Sequence, residues 1–216
     1  MTAYLLLPVA LPAVLGAAAV TRRRAGWTRP LDLLAAAAVL VCGLALLLAP
    51  AGGDAAPTAV GGLLRADRLT AYLLVTIGAV ACVALGAALA SPAEPDGWFT
   101  GLVCLFLAAM SLAVLADDLG VVWVAIEATT ITTAFLVGYR SSRRSLEAAW
   151  KYVVLGSAGV AIAFLGIVLL YAATRAVGTP TLSWLELTRI AATLDPSVAK
   201  LRSEEHTSEL QSPVVI

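Results

Sequence analysis

The feature that most constrains this chain is a series of long apolar runs that contain very few charges. Six such runs lie at about 3–21, 31–50, 68–90, 98–116, 119–139 and 147–173. A helix that crosses a bilayer needs roughly 20 predominantly apolar residues, and soluble domains do not repeat runs of that length. The sequence therefore predicts an all-α, polytopic membrane helix bundle with about six transmembrane helices.

Composition excludes several other classes of function. The chain is 61% hydrophobic and 13% charged, and its zero net charge gives no basic surface for nucleic acid. Its cysteines, Cys42, Cys82 and Cys104, lie singly inside apolar runs, which is atypical of iron–sulfur or structural zinc sites. No nucleophile–base set or phosphate-binding loop is evident. We therefore expect no metal, no cofactor and no active site within this chain.

Arginine clusters between the runs predict how the chain is oriented. Cytoplasmic loops carry an excess of lysine and arginine. A dense cluster follows the first run, another follows the fifth, and basic residues in the alternate loops are more dispersed. We therefore expect a multi-pass protein of the cell's inner (cytoplasmic) membrane with its N-terminus outside. The two clusters consist of Arg22, Arg23, Arg24 and Arg29, and of Arg140, Arg143 and Arg144.

The part of the chain after the sixth run has two features. Ser183 and Glu186 fit a helix capping box, and apolar residues then recur at helical spacing, which predicts an amphipathic helix at about 183–195 on the outer surface. This helix could be a connector on its own subunit or a partner-docking site. Residues 202–216 begin with RSEEHTSELQS, which resembles a translated sequencing adapter. We expect 202–216 to be an artefact and 1–201 to be an N-terminal fragment; a genuine hydrophilic tail is the alternative.

Glu127 is the acidic residue that stands out in the fifth run. It precedes Tyr139 by 12 residues, which places it ~18 Å from that helix end and near the middle of a bilayer. An ionised, unpaired carboxylate would cost several kcal/mol there, so Glu127 must be protonated, paired or hydrated. We predict a proton-transfer role for Glu127, with an inter-helix hydrogen-bond clamp as the alternative.

Small hydroxyl side chains near Glu127 suit a hydrated path through the membrane. Thr130 and Thr133 lie within two turns of Glu127, and Ser157 follows in the sixth run among small residues that favour close helix packing. These three residues are candidates for a hydrophilic path. Threonine also bonds the backbone of its own helix, so the pattern is open to a purely structural interpretation.

Lys151 is the second predicted proton-transfer residue. It lies seven residues after Arg144, at most ~10 Å into the sixth run. Its depth should differ from that of Glu127 by roughly 8–13 Å, which favours a water-linked relay over a direct salt bridge. Snorkelling of Lys151 to the membrane surface is the alternative.

Two further features lie near the start of the fifth run. Asp117 and Asp118 are adjacent acids between two runs. We expect them to form a solvated turn, with a proton entrance as the alternative. Trp123 lies toward the end of its run and suggests an anchor at the membrane interface.

These residues lie in segments that resemble a known family. The segments DLGVVWVAIEATTITTAFLVGY (118–139) and LEAAWKYVVLGSAGVAIAFLGIVLLY (146–171) are similar to the antiporter-like proton-conducting subunits of respiratory complex I and membrane-bound hydrogenases. The strings WVAIEATT and EAAWKY resemble hydrogenase-4 component F most closely, and LRADRLTAYLLVTIGAV (64–80) resembles the family's third helix. The resemblance implies that this chain is truncated from a larger fold of about fourteen helices built on two inverted repeats.

The resemblance also implies roles and partners. Glu127 matches the family's fifth-helix glutamate, which pairs with a lysine of the seventh helix, and Lys151 matches the sixth-helix lysine of the hydrophilic axis. The implied function is proton translocation in a hydrogenase or NADH:quinone oxidoreductase-type complex, with redox chemistry in partner subunits. Other membrane and peripheral subunits, and the lipid bilayer, would be its partners. The alternatives are a non-conducting scaffold or assembly subunit, and a subunit of a cation/proton antiporter.

Overall fold

The computed structural model describes residues 3–22, 28–49, 56–89 and 96–191. Within these residues the chain is a helix bundle with six helices that are long and apolar enough to cross a membrane, which confirms the predicted fold class. They are α1 (Ala3–Arg22), α2 (Thr28–Leu48), α3 (Arg68–Ala88), α4 (Gly97–Leu115), α5 (Leu119–Gly138) and α6 (Arg143–Ala176).

Short polar side chains fix where several of these helices begin. Asp67 accepts a hydrogen bond from the backbone of Thr70 at the start of α3, and Asp96 accepts one from Phe99 at the start of α4. Asp118 accepts from two backbone N–H groups of α5, and Ser142 from one of α6. Each side chain satisfies N–H groups that have no partner inside their own helix. The apolar runs are thereby divided into separate helices.

Helix α4 is the centre of the bundle. It packs against α1, α2, α3 and α5, and α6 packs on the far side of α5. Glycines allow the closest helix contacts: a Cβ added to Gly101 of α4 would lie 2.5 Å from Val20 of α1, and one added to Gly43 of α2 would lie 2.6 Å from the backbone of α3. Small residues allow the close backbone approach on which packing between membrane helices depends.

The end of the bundle where α3 and α5 begin carries a small non-helical assembly. Strands β1 (Thr58–Ala59) and β2 (Leu64–Arg65) form an antiparallel hairpin around a 3-10 turn at Val60–Gly62. Leu64 and Asp118 each form an isolated backbone bridge, to Ala116 and to Ser183 respectively. We call this end the hairpin end, and the opposite end, where α5 is followed by α6, the arginine end.

The predicted amphipathic helix is present in part. Helix α7 spans Trp184–Ile190, and the remainder of the expected segment lies outside the described residues, as does 202–216. Ser183 accepts a hydrogen bond from the backbone N–H of Glu186, which is one half of the expected capping box. The Glu186 carboxylate instead accepts from the Thr181 hydroxyl, and that hydroxyl oxygen accepts from the backbone N–H of Ser183.

Helix α6 differs from the others in length and exposure. It has 34 residues, of which only Thr174 is buried. Large apolar side chains such as Leu155 and Ile162 are 76% and 72% exposed. A helix that is apolar around most of its surface suits a lipid or protein environment and not water. Helix α6 thus forms the outermost wall of the bundle beside α5.

Candidate functional site

Glu127 lies on the side of α5 that faces α6. Trp123, one turn before it, donates a hydrogen bond from its indole N–H to the backbone carbonyl of Val160, at 3.0 Å. Thr130, one turn after it, has its methyl carbon 3.0 Å from the position that a Cβ on Gly156 would occupy. Residues three and four apart share a helix face, so Glu127 lies between two points of contact with α6.

One oxygen atom of the Glu127 carboxyl group has no hydrogen-bond partner among the described residues. That atom, Oε2, is buried, and no hydrogen bond to it exists within the described part of the chain. A buried polar atom without a partner is costly in a low-dielectric environment and is typical of sites with a functional reason to keep it. The geometry therefore does not show the hydrogen-bond clamp that we considered for Glu127.

The neighbouring hydroxyls are engaged by their own helix. Thr130 donates to the carbonyl of Ile126 at 3.0 Å, and Thr133 donates to that of Thr129 at 2.7 Å. Each hydroxyl oxygen can still accept a hydrogen bond. Ser157 is exposed on α6, and a Cβ added to Gly159 would meet no atom within 4 Å. These two residues of α6 are therefore not covered by another described part of the chain at the level of Glu127.

The helix register separates Glu127 from Lys151. Since α5 and α6 are antiparallel and touch at Thr130 and Gly156, Glu127 lies three residues to one side of that contact and Lys151 five residues to the other. At ~1.5 Å per residue, the two lie ~12 Å apart along the helix axes. The structure brings them to the same helix pair without direct contact.

Lys151 has a different partner. Its ammonium group donates to Oε1 of Glu147 at 2.5 Å, and the two side chains are 62% and 58% exposed. We did not single out Glu147 from the sequence, although a glutamate four residues before a lysine is a recognised helical pair. An exposed pair of this kind adds little to stability, and the Lys151 ammonium group remains accessible to solvent.

The expectation for Asp117 was wrong. Its side chain is only 8% exposed and accepts a 2.5 Å hydrogen bond from the Ser183 hydroxyl, with the Arg65 guanidinium 3.9 Å away. Three loops that are distant in sequence meet at this carboxylate, which two adjacent acids in a turn did not indicate. We call Arg65, Asp117 and Ser183 the hairpin-end cluster. Asp118, in contrast, caps α5.

Trp123 and Asp32 also differ from what the sequence suggested. The Trp123 ring packs on Phe164 with centroids 4.8 Å apart, so it connects α5 to α6 in addition to lying near a helix end.

Asp32 of α2, which our sequence analysis passed over inside an apolar run, is only 4% exposed. A single carboxylate inside a predicted span was the available signal.

Comparisons with known proteins agree with this architecture. Residues 116–203 match the family model described as NADH:quinone oxidoreductase/Mrp antiporter, TM. The hydrogenase-4 component F homolog of Methylacidiphilum infernorum is 38% identical over 95 residues, covering 43% of this chain and 20% of that protein. The NADH-quinone oxidoreductase subunit N of Deinococcus radiodurans is 32% identical over 149 residues, covering 68% of this chain and 29% of that protein.

Solved structures share the fold. A chain of the membrane-bound sulfane sulfur reductase, an archaeal respiratory membrane complex, gives a TM-score of 0.75 at 22% identity and covers 92% of this chain and 42% of that one. A chain of the Mrp complex from Dietzia sp. DQ12-45-1b gives 0.65 at 24% identity, with coverages of 92% and 22%. The described helices therefore match part of a larger membrane protein in both complexes.

The match to the family model includes α5 and α6, and therefore both Glu127 and Lys151. This chain spans 20% and 29% of the two curated relatives named above. The family match and the sequence similarities identify the chain as a relative of the antiporter-like membrane subunits of NADH:quinone oxidoreductases, hydrogenase-4 and Mrp antiporters.

Proposed function

We propose that this chain belongs to a proton-translocating membrane subunit of a hydrogenase or NADH:quinone oxidoreductase-type complex. It would lie in the inner membrane with its N-terminus outside, and partner subunits would carry out the redox chemistry. One observation supports this most strongly. Glu127 lies in the middle of α5, within the family match, and its Oε2 atom is buried without a hydrogen-bond partner in the described structure.

The proposed mechanism is electrostatic. Glu127 holds a proton while no positive charge is near, because an ionised carboxylate is costly in the membrane. A cation brought within ~4–6 Å would favour the ionised form and release that proton. In the family that this chain resembles, a lysine of the seventh helix is such a cation.

Lys151 would act at the arginine end of the same path. Its exposed ammonium group, held by Glu147, can exchange protons with water. The ~12 Å between Lys151 and Glu127 along the axes would be bridged by water beside the small residues of α6. Neither step requires a redox group in this chain.

The test is proton pumping by the intact complex in vesicles. Glu127→Gln keeps the size of the side chain but removes the group that can ionise. We expect pumping to fall roughly 10-fold or more, since positioned acid–base groups commonly contribute that much. Glu186→Gln is the matched control, because it makes the same substitution on α7, outside the six spans, and it should pump normally. Normal pumping by an assembled Glu127→Gln complex would reject the proposal.

A second function is favoured by the family description itself, which includes Mrp antiporters. In that case the protein would exchange a cation for protons without redox chemistry. An imposed sodium gradient would then drive proton movement in vesicles that lack any electron donor. Proton movement that requires the electron donor supports the first proposal over this one.

A further inference from the structure

A second buried carboxyl group lies between α2 and α4. Asp32 is 4% exposed, and the Thr100 hydroxyl donates to its Oδ2 atom at 3.1 Å. The Cys104 thiol lies 3.7 Å from Oδ1, within the distance for a weak sulfur hydrogen bond. Thr100 and Cys104 are both fully buried on one face of α4. The carboxyl group therefore has one polar contact on each oxygen, and both come from the same neighbouring helix.

No cation compensates this carboxyl group within the described residues. The two described ion pairs are those of Arg65 with Asp117 and of Lys151 with Glu147, and neither involves Asp32. The Cys104 thiol contacts Asp32 directly. The Cys82 thiol of α3 packs against the apolar cluster that contains Ala35, Ala36 and Cys104.

This environment favours the neutral acid. Ala35 and Ala36, both fully buried, continue the apolar surroundings along α2. An ionised carboxylate in such a place needs a cation or several strong donors, whereas Asp32 has one hydroxyl and one weak thiol donor. A protonated carboxyl group is neutral and needs neither a cation nor several strong hydrogen-bond donors. It can donate its own O–H to the sulfur atom while the other oxygen accepts from Thr100.

We propose that Asp32 is a second proton-binding site, separate from Glu127, which takes a proton from water at the arginine end and holds it at neutral pH. Asp32 lies four residues after the start of α2, which is ~6 Å along the axis, whereas Glu127 lies ~18 Å from the same end of the bundle. The ligand is a proton, and Thr100 and Cys104 position the carboxyl group that receives it.

Infrared spectroscopy of the full chain in lipid nanodiscs tests this directly. A protonated carboxyl group has a C=O stretching band that is distinct from the bands of carboxylates and amides and that shifts in D₂O. At neutral pH we expect Asp32→Asn to lose one component of this band. Glu127→Gln should retain that component, so a failure of the proposed pumping role would not affect the result. An unchanged band in Asp32→Asn would overturn the proposal.

A second variant keeps the test decisive if Asp32→Asn does not fold. Thr100→Val preserves the shape of the side chain but removes the hydroxyl that donates to Asp32. We expect the same band component to remain and to change in frequency, because one hydrogen bond to the carbonyl is lost. Thr188→Val, on exposed α7, is the control and should leave the band unchanged. A band that is identical in wild type and Thr100→Val would also refute the assignment.

Discussion

Replacing Ser183 by alanine should weaken the attachment of α7 to the hairpin end of the bundle, leaving the backbone hydrogen bond from Trp184 to Asp117. The Ser183 hydroxyl makes two interactions: a 2.5 Å hydrogen bond to the buried Asp117 carboxylate and a 3.4 Å contact from the Glu186 backbone N–H that caps α7. A hydrogen bond to a charged group contributes ~1.5–3 kcal/mol. The long capping contact adds less than the ~1 kcal/mol of a typical cap. The sum is about 2–3 kcal/mol.

Hydrogen–deuterium exchange with mass spectrometry measures this energy locally. Each ~1.4 kcal/mol changes an equilibrium tenfold, so the amides of 184–190 should exchange roughly 30- to 100-fold faster in Ser183→Ala. Thr188→Ala is the matched control, because the Thr188 hydroxyl donates only to the backbone of α7 itself. Equal exchange in Ser183→Ala and Thr188→Ala would refute the inference that Asp117 anchors α7.

Two further predictions concern packing and pH. Gly156→Ala should destabilise the α5–α6 contact by ~1–2 kcal/mol, because the new Cβ would lie 3.0 Å from the Thr130 side chain. Gly159→Ala is the control, since its Cβ would meet no atom, and Thr130→Ser should restore the stability of Gly156→Ala. Equal thermal stability of Gly156→Ala and Gly159→Ala in detergent would contradict this prediction. The hydrogen bond to Asp96 raises the pKa of Tyr139 to about 12. The stability contributed by this hydrogen bond should therefore be complete below the tyrosine pKa of ~10 in the unfolded chain, and it should be lost as the pH rises through about 12. The phenolate absorbance of wild type minus Tyr139→Phe measures this, and a midpoint near the unfolded value would contradict it.

The sequence predicted the features that depend on local composition. Run length gave the six helices, since the need for about 20 apolar residues applies to each span independently. The mid-span position of Glu127 followed from counting residues to Tyr139, and its separation from Lys151 followed in the same way. These inferences needed only the rise of a helix and the position of its ends.

Features that depend on contacts between distant segments were not predicted. The burial of Asp117 requires a β-hairpin near residue 60 and a loop near residue 183 to meet it, and no local pattern signals that meeting. The hairpin itself lies in a glycine-rich segment that gave no strand pattern. Asp32 was missed because a single acid barely changes the mean hydropathy of its run, while its burial depends on Thr100 and Cys104 of α4.

The length of α6 has a consequence for the two residues that we propose carry protons, Lys151 and Glu127. Its 34 residues measure ~51 Å, whereas the hydrocarbon layer is ~30 Å thick, and a tilt of ~20° takes up only a few ångströms of the difference. Divided equally, the excess leaves about seven residues of α6 beyond the hydrocarbon at each end. Lys151, the ninth residue of α6, then lies ~3 Å inside the boundary between the hydrocarbon and the lipid headgroups, whereas Glu127 lies near the middle of the hydrocarbon layer. A proton could therefore reach Lys151 by diffusion from the solvent. Proton transfer to Glu127 would require a continuous chain of water molecules or protonatable groups.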